Sequence, residues 1–321
     1  MLVRISKDWD DLDIMRQTPN FSKKWGDIEF TTDDVKECDL LVVLNRPHKD
    51  IKVKARQAWL FTQEPAVYVY TWHTESFKYF DKIFSFWDKK YNKNIISTQT
   101  ALPWHIKKSY DELKVMDVNS QKQNRVSWIT SSSTFHNGHK KRMEFKEFLC
   151  RNKFDFDLYG RGFEPIDDKF DALYPYKYSL AIENNSLDDY WTEKISDCFL
   201  SYTMPIYYGA KRITEYFPNE SMILIDIENP QEAMEIINNA IENNLWEKNL
   251  EYIKESRKLV LEKYQMFPWV AHLVEKYDIK SKKIKHYFIP SNTSEHPKSF
   301  KQKFKEEKKV LKVKIRNFIN A

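Results

Sequence analysis

The residues best suited to chemistry lie in the stretch NSLDDYWTEKISDCFLSY, Asn185 to Tyr202. Ile195, Cys198, Phe199 and Tyr202 fall at i, i+3, i+4 and i+7, the spacing of an apolar helix face. Thr192 stands where such a helix would take its N-cap, which puts Lys194 in the first turn. A cation there opposes the positive end of the helix macrodipole, and the unpaired N–H groups beside it attract anions. Lys194 on a helix N-terminus is therefore a candidate anion site. Glycine is scarce, five in the chain, and Gly160 and Gly162 follow the run FDFDLY while Gly209 follows MPIYY. These are strand ends, and ligands of open α/β sheets collect at the carboxyl ends of strands, although a tight turn accounts for each glycine singly. Neither GxGxxG nor a Walker loop occurs, so two familiar phosphate cradles are absent.

The elements that must position these residues alternate along the chain. MLVRIS, DLLVVLNRP, QAWLFTQEP and KIFSFWD read as strands, and LLVVL has the unbroken Val/Leu character of a strand buried on both faces of a parallel sheet. Lys114 to Asn124 is polar and reads as a linker. A second series follows: RVSWITSS, a helical HKKRMEFKEFL, FDFDLYGRG, YSLAIENN, the helix after Thr192, MPIYYGA, MILIDI and a helix PQEAMEIINNAI. The pattern predicts two α/β domains, 1–118 and 119–279, with a cleft between them. Residues 245–277 are largely helical, and these final helices are free to pack back on the N-terminal domain.

A chain of 321 residues is long enough for two cores. Cys38, Cys150 and Cys198 are scattered singly, which argues against a disulfide framework or thiolate metal site and for a reducing cytoplasm. No apolar window reaches the roughly 18 residues of a membrane span. The net charge of +5 is unevenly placed: residues 280–321 hold 13 Lys and Arg against 3 Asp and Glu. The rest is mildly acidic, which speaks for a polyanion- or membrane-seeking appendage and against a nucleic-acid-binding domain. In that tail Phe300, Phe304, Leu311, Ile315, Phe318 and Ile319 recur at roughly helical spacing. A basic amphipathic helix suits an anionic membrane surface; a disordered solubilising tail is the other reading.

Taken in order, RMEFKEFL, LYGRG, YKYSLAIENN and DDYWTEKISDCFLSYTMPIYYGA resemble the donor-binding half of the α1,3/4-fucosyltransferases, glycosyltransferase family ten. YKY is Tyr176 to Tyr178, EN is Glu183 and Asn184, and YWTEK is Tyr190 to Lys194, at the family's spacing. The match runs from about Arg125 to Asp226. It implies a GT-B fold of two facing Rossmann-like domains, and transfer of L-fucose from GDP-fucose with inversion at the anomeric carbon. By the family pattern Lys194 and Arg142 meet the diphosphate, Glu193 accepts from the ribose hydroxyls, and Tyr190 lines a donor pocket that also draws on Tyr176, Glu183 and Asn184. Fixed cations and helix N–H groups can stabilise a leaving diphosphate without a metal. No cofactor is then required, and a divalent ion is left the role of hastening product release. Inversion needs a base from the opposite side of the cleft. The family places a glutamate at the end of an N-terminal strand, where this chain has Glu64 before Pro65.

Other features weigh less. Asp155 and Asp157 spell Asp-x-Asp, a metal-holding pair in glycosyltransferases of another fold, but here they alternate with Phe154, Phe156 and Leu158 as strand residues do. His136 and His139 lack a partner histidine at zinc spacing. Trp72 with His73 and Trp104 with His105 read either as a sugar-stacking floor or as core aromatics, and Asn45 and Arg46 as acceptor-side groups or a turn. The resemblance thus leads to an inverting fucosyltransferase of bacterial surface polysaccharide or lipopolysaccharide synthesis. It would be cytoplasmic, peripheral on the inner face of the membrane, and take an oligosaccharide or lipid-linked acceptor. A GT-B transferase using another nucleotide-deoxysugar and a non-enzymatic glycan- or polyanion-binding protein are the alternatives.

Overall fold

The computed structural model describes residues 1–9, 13–65 and 70–292. The first half holds strands β1 (Leu2–Ser6), β2 (Lys24–Trp25), β3 (Ile28–Thr31), β4 (Leu40–Leu44), β5 (Ile51–Ala55), β6 (Gln57–Phe61), β7 (Lys82–Ser85) and β8 (Ile95–Ser97), then helix α1 (Tyr110–Val115). Seven of these strands form one sheet in the order β2-β3-β1-β4-β6-β7-β8, parallel apart from the β2–β3 pair. β4 shows why the sequence builds it this way. Leu40, Val42 and Leu44 face one buried cluster and Leu41 and Val43 the other, all five fully buried, as a strand covered on both faces requires. Among the described residues no α-helix joins these strands; 3-10 segments follow β1 and β6, the longest Thr71–Tyr79, and β5 lies between β4 and β6.

The second half runs β9 (Gln123–Ile129), α2 (Asn137–Arg151), β10 (Phe156–Tyr159), β11 (Tyr176–Ile182), α3 (Glu193–Leu200), β12 (Met204–Tyr208), β13 (Ile223–Leu224) and α4 (Pro230–Glu242). Its five-stranded sheet is wholly parallel, in the order β10-β9-β11-β12-β13. That order reverses between β9 and β11, and the N-terminal order reverses likewise between β1 and β4. Loops leaving the two sides of such a point diverge, which opens a crevice at the carboxyl ends.

The chain then returns to its beginning. Helices α5 (Leu245–Lys248) and α6 (Leu250–Leu259) lead through a π-helical turn, Val260–Tyr264, into α7 (Met266–Lys276), which Gln265 caps by accepting the Phe267 N–H at 3.0 Å. Met266, Phe267 and Val270 of α7 are fully buried in one cluster with Val3, Phe30 and Trp59 of the N-terminal sheet. The last strand among the described residues, β14 (Lys285–Ile289), pairs antiparallel with β5. A tail beginning at 280 is thereby corrected: Ile289 is buried in the N-terminal core, and Asn292 donates to the carbonyls of Trp72 and His73. The amphipathic pattern from Phe300 to Ile319 lies outside the described residues.

Phe267 is fully buried and meets the edge of Phe30 at 4.9 Å between ring centroids. Phe267→Ala is expected to lower the free energy of unfolding by about 3–5 kcal/mol, measured by denaturant titration. A change of less than about 1 kcal/mol would contradict the view that α7 ties the two halves together.

Candidate active site

Both parallel sheets turn their carboxyl ends toward one cavity of about 790 Å³. Trp9, Asn45, Gln63 and Glu64, beyond β1, β4 and β6, line it from the N-terminal half. Thr130, Gly160, Arg161 and Asn184, beyond β9, β10 and β11, line it from the C-terminal half, with Arg142 of α2. Tyr190, Thr192, Glu193 and Lys194 close the wall at the start of α3.

The start of α3 is fixed by one buried carboxylate. Thr192 is its N-cap, accepting the Lys194 N–H at 3.4 Å, and the Thr192 N–H donates to Glu183 Oε1 at 2.8 Å. Thr192 Oγ1 lies 2.8 and 2.9 Å from the two Glu183 oxygens. Lys194 Nζ donates to Glu183 Oε2 at 3.1 Å and to Thr192 Oγ1 at 3.0 Å, leaving one of its three protons for the cavity. Burial pushes the Glu183 carboxyl up, and the Lys194 ammonium opposes that shift. Glycine makes the room: a Cβ at Gly209 would stand 2.5 Å from Glu183 Cγ and 2.3 Å from the Tyr207 hydroxyl.

Arg142 is 3% exposed and sits in the second turn of α2. Its Nη1 donates to Asn184 Oδ1 at 2.6 Å, and its Nε, buried, has no partner among the described residues. Asn184 is in turn held by α2, because Gly138 brings that helix so close that a Cβ would lie 1.7 Å from the Asn184 carbonyl oxygen. The same wall thus carries a guanidinium with an unused N–H, an ammonium and a helix N-terminus. That set suits an anion with more than one charge.

Across the cavity stands Glu64. Its backbone carbonyl accepts from Trp87 Nε1 at 2.7 Å, and its carboxylate is hydrogen-bonded by the Tyr70 hydroxyl. Burial pushes the carboxyl above the usual glutamate value, with Lys194 the main opposing charge. A raised carboxyl on a cavity wall is suited to accept a proton from a bound hydroxyl.

The remaining expected residues divide. Tyr190, 2% exposed, packs on Phe86 of the N-terminal half at 4.7 Å between ring centroids, while Trp191 turns into the C-terminal core. Glu183 does not line the cavity; it acts from behind, through Lys194 and Thr192. Tyr176 is displaced from the site altogether. It begins β11 at the amino end of the sheet, where its hydroxyl pairs with the Tyr159 hydroxyl and with Asp157 Oδ2, each at 2.7 Å. Asp155 and Asp157 pair with Arg125 at 2.8 and 3.0 Å. His73 and Trp104 are core residues, 2% and 1% exposed, which removes them from a sugar-stacking floor. Among the other lining residues, Lys169 carried no sequence signal, and His105, read with Trp104 as a stacking floor or core, meets α3 instead. Lys169, on a 3-10 turn, lies 3.0 Å from Glu193 Oε1, and His105 Nδ1 lies 3.6 Å from the same oxygen. Each is a lone polar residue whose approach to α3 exists only in the folded chain.

The model of glycosyltransferase family 10 (fucosyltransferase), C-terminal part, matches residues 119–289. The chain belongs to this family. Over 129 residues the family 10 chain is 31% identical to the GDP-fucose protein O-fucosyltransferase 3 of Danio rerio, covering 37% of this chain and 28% of the relative. It is 36% identical over 73 residues to the alpha-(1,3)-fucosyltransferase FucT of Helicobacter pylori, covering 22% of this chain and 15% of that one. The matched part is thus less than a third of either relative. Among solved structures, an α1,3-fucosyltransferase superposes with a TM-score of 0.50 at 18% identity, over 83% of this chain and 90% of that one. An α-glucosyltransferase in complex with UDP and a 13-mer DNA superposes with a TM-score of 0.53 at 11% identity, over 88% and 99%. These likenesses are of fold, and the fold is GT-B.

Gly138→Ala is expected to push Asn184 off α2 and to destabilise the chain by about 1–3 kcal/mol, the usual cost of overpacking. A denaturant midpoint equal to that of the unsubstituted chain would show that Asn184 is not held there.

Proposed function

We propose that this protein transfers L-fucose from GDP-fucose to a hydroxyl of a glycan acceptor, with inversion at the anomeric carbon. The observation that carries this reading is the division of the cavity: Arg142, Lys194 and the α3 N-terminus on one wall, and the raised carboxyl of Glu64 on the opposite one. The acceptor oxygen attacks the anomeric carbon as Glu64 takes its proton. The bond from that carbon to the β-phosphate oxygen breaks, and the charge left on GDP develops facing Lys194, Arg142 and the helix N-terminus. Such groups are already oriented before the reaction, so little reorganisation is needed as the charge appears. Glu193 takes the ribose hydroxyls and Tyr190 closes the donor pocket. A relative named for GDP-fucose supports this donor. The same reading places the protein in bacterial surface polysaccharide or lipopolysaccharide synthesis, at the cytoplasmic face of the membrane, with the basic tail on anionic lipid.

The test is GDP release from a panel of GDP-sugars and other nucleotide-deoxysugars in the presence of glycan acceptors. GDP-fucose is expected to be turned over fastest. Preference for a different nucleotide would replace the donor assignment, and release from none would overturn the reading. Glu64→Gln keeps the side chain's shape but cannot take the proton, so turnover should fall by roughly 10²- to 10⁴-fold with donor affinity little changed. The base works deprotonated. The rate of the unsubstituted chain should therefore fall as pH drops through a value above the ordinary 4.5 of glutamate, and this acid limb should vanish in Glu64→Gln.

A further inference from the structure

Glu193 uses its two oxygens unequally. Oε1 gathers three basic groups: Lys169 Nζ at 3.0 Å, His105 Nδ1 at 3.6 Å and Lys194 Nζ at 3.8 Å. Oε2 has no partner among the described residues, and the side chain, 12% exposed, lines the cavity. Lys169 is itself held from behind. Its Nζ lies 3.6 Å from Asp197 Oδ2 and 3.4 Å from His105 Nδ1, and Asp197 Oδ1 accepts the His105 backbone N–H at 3.0 Å. Three separate parts of the chain, the segment at 105, the 3-10 turn Lys169–Ala172 and α3, close on one another through this lysine.

The charges within the group are sorted. His105 Nδ1 faces Lys169 Nζ at 3.4 Å, and desolvation pulls this partly exposed ring below the ordinary histidine value. Burial pulls Lys169 downward too, but Glu193 first and then Asp197, itself pushed up to about 7 by burial, outweigh it and hold the ammonium above the usual lysine range. Burial acts to raise Glu193, yet Lys169 and then Lys194 keep it well below the usual carboxylate range. Glu193 is therefore a fixed anion. It can only accept hydrogen bonds, and a ligand meeting Oε2 must bring O–H or N–H groups.

We propose that Lys169 is a positioning residue for nucleotide recognition: by holding Glu193 through Oε1 it presents Oε2 to the ribose hydroxyls of the donor. The inference rests on the nucleotide-sugar reading above. Guanine also offers N–H donors, but the position of Glu193 favours the sugar. Its Oε1 is 3.8 Å from the Lys194 ammonium, and in a nucleoside diphosphate the ribose hydroxyls stand nearer the phosphates than the base edge does. Without Lys169 the carboxylate would keep its charge but lose its fixed direction, and a hydrogen bond to it would carry the cost of ordering the side chain on binding.

The experiment is calorimetric titration of the full chain with GDP, 2′,3′-dideoxy-GDP and inosine diphosphate, repeated for Lys169→Met and Lys169→Arg. Hydrogen bonds to a charged acceptor should make the unsubstituted chain bind GDP about 10- to 100-fold more tightly than the dideoxy nucleotide. That preference should shrink to about threefold or less in Lys169→Met and persist in Lys169→Arg, while the ratio of GDP to inosine diphosphate stays the same in all three. Equal losses for GDP and dideoxy-GDP in Lys169→Met would mark a merely structural lysine and overturn the proposal. So would a preference left intact by that substitution, or a shift confined to inosine diphosphate, which would put Glu193 on the base. If the unsubstituted chain binds no GDP, the nucleotide reading itself falls and this inference with it.

Discussion

The site is organised around the buried carboxylate of Glu183. It takes the Thr192 N–H, lies against the Thr192 hydroxyl and pairs with Lys194, so the N-cap, the first turn and the cation of α3 are set by one side chain. An ammonium at a helix N-terminus is opposed by the macrodipole. Left alone, Lys194 would swing into solvent. The pairing reverses this, because an unpaired carboxylate as buried as Glu183 is more costly than an opposed lysine in the first turn. The cation is thereby kept beside backbone N–H groups that attract the same anion.

Placement of that carboxylate depends on two close approaches. Gly209 leaves space for the Glu183 side chain, and Gly138 lets α2 descend onto the backbone of Asn184, the residue that orients Arg142. Lys194 and Arg142 thus reach the same cavity by neighbouring routes, one through Glu183 and one through Asn184, both at the carboxyl end of β11. The opposite wall is built differently. Glu64 lies beyond β6 of a sheet against which α7 packs, and β14 pairs with β5, both supplied by the later part of the chain.

How much of this was legible depended on the range of the interaction. The α3 start was readable because cap, first turn and apolar face follow one another within a few residues, and β4 was readable because five consecutive aliphatics have no other home than a sheet covered on both faces. Spacing could not say which motif residues face the ligand. Tyr176 opens β11 and Glu183 directly follows its last residue, yet one lies at the far end of the sheet and the other stands behind the cation. Lys169 and His105 carry no local signal, since their approach to Glu193 joins segments about 24 and 88 residues away in sequence. The β5–β14 ribbon was hidden for the same reason, and the Lys-rich composition after residue 280 pointed to a tail where a strand begins.

The central claim is that Lys194, fixed by Glu183, meets the β-phosphate of a bound nucleotide. The most direct measurement compares the affinities of GDP and GMP for the unsubstituted chain and for Lys194→Ala. The account predicts that GDP binds at least about tenfold more tightly than GMP, as one charge-assisted contact warrants, and that Lys194→Ala removes most of this difference while leaving GMP binding nearly unchanged. A GDP preference that survives the loss of Lys194, or GMP and GDP weakened alike, would contradict it.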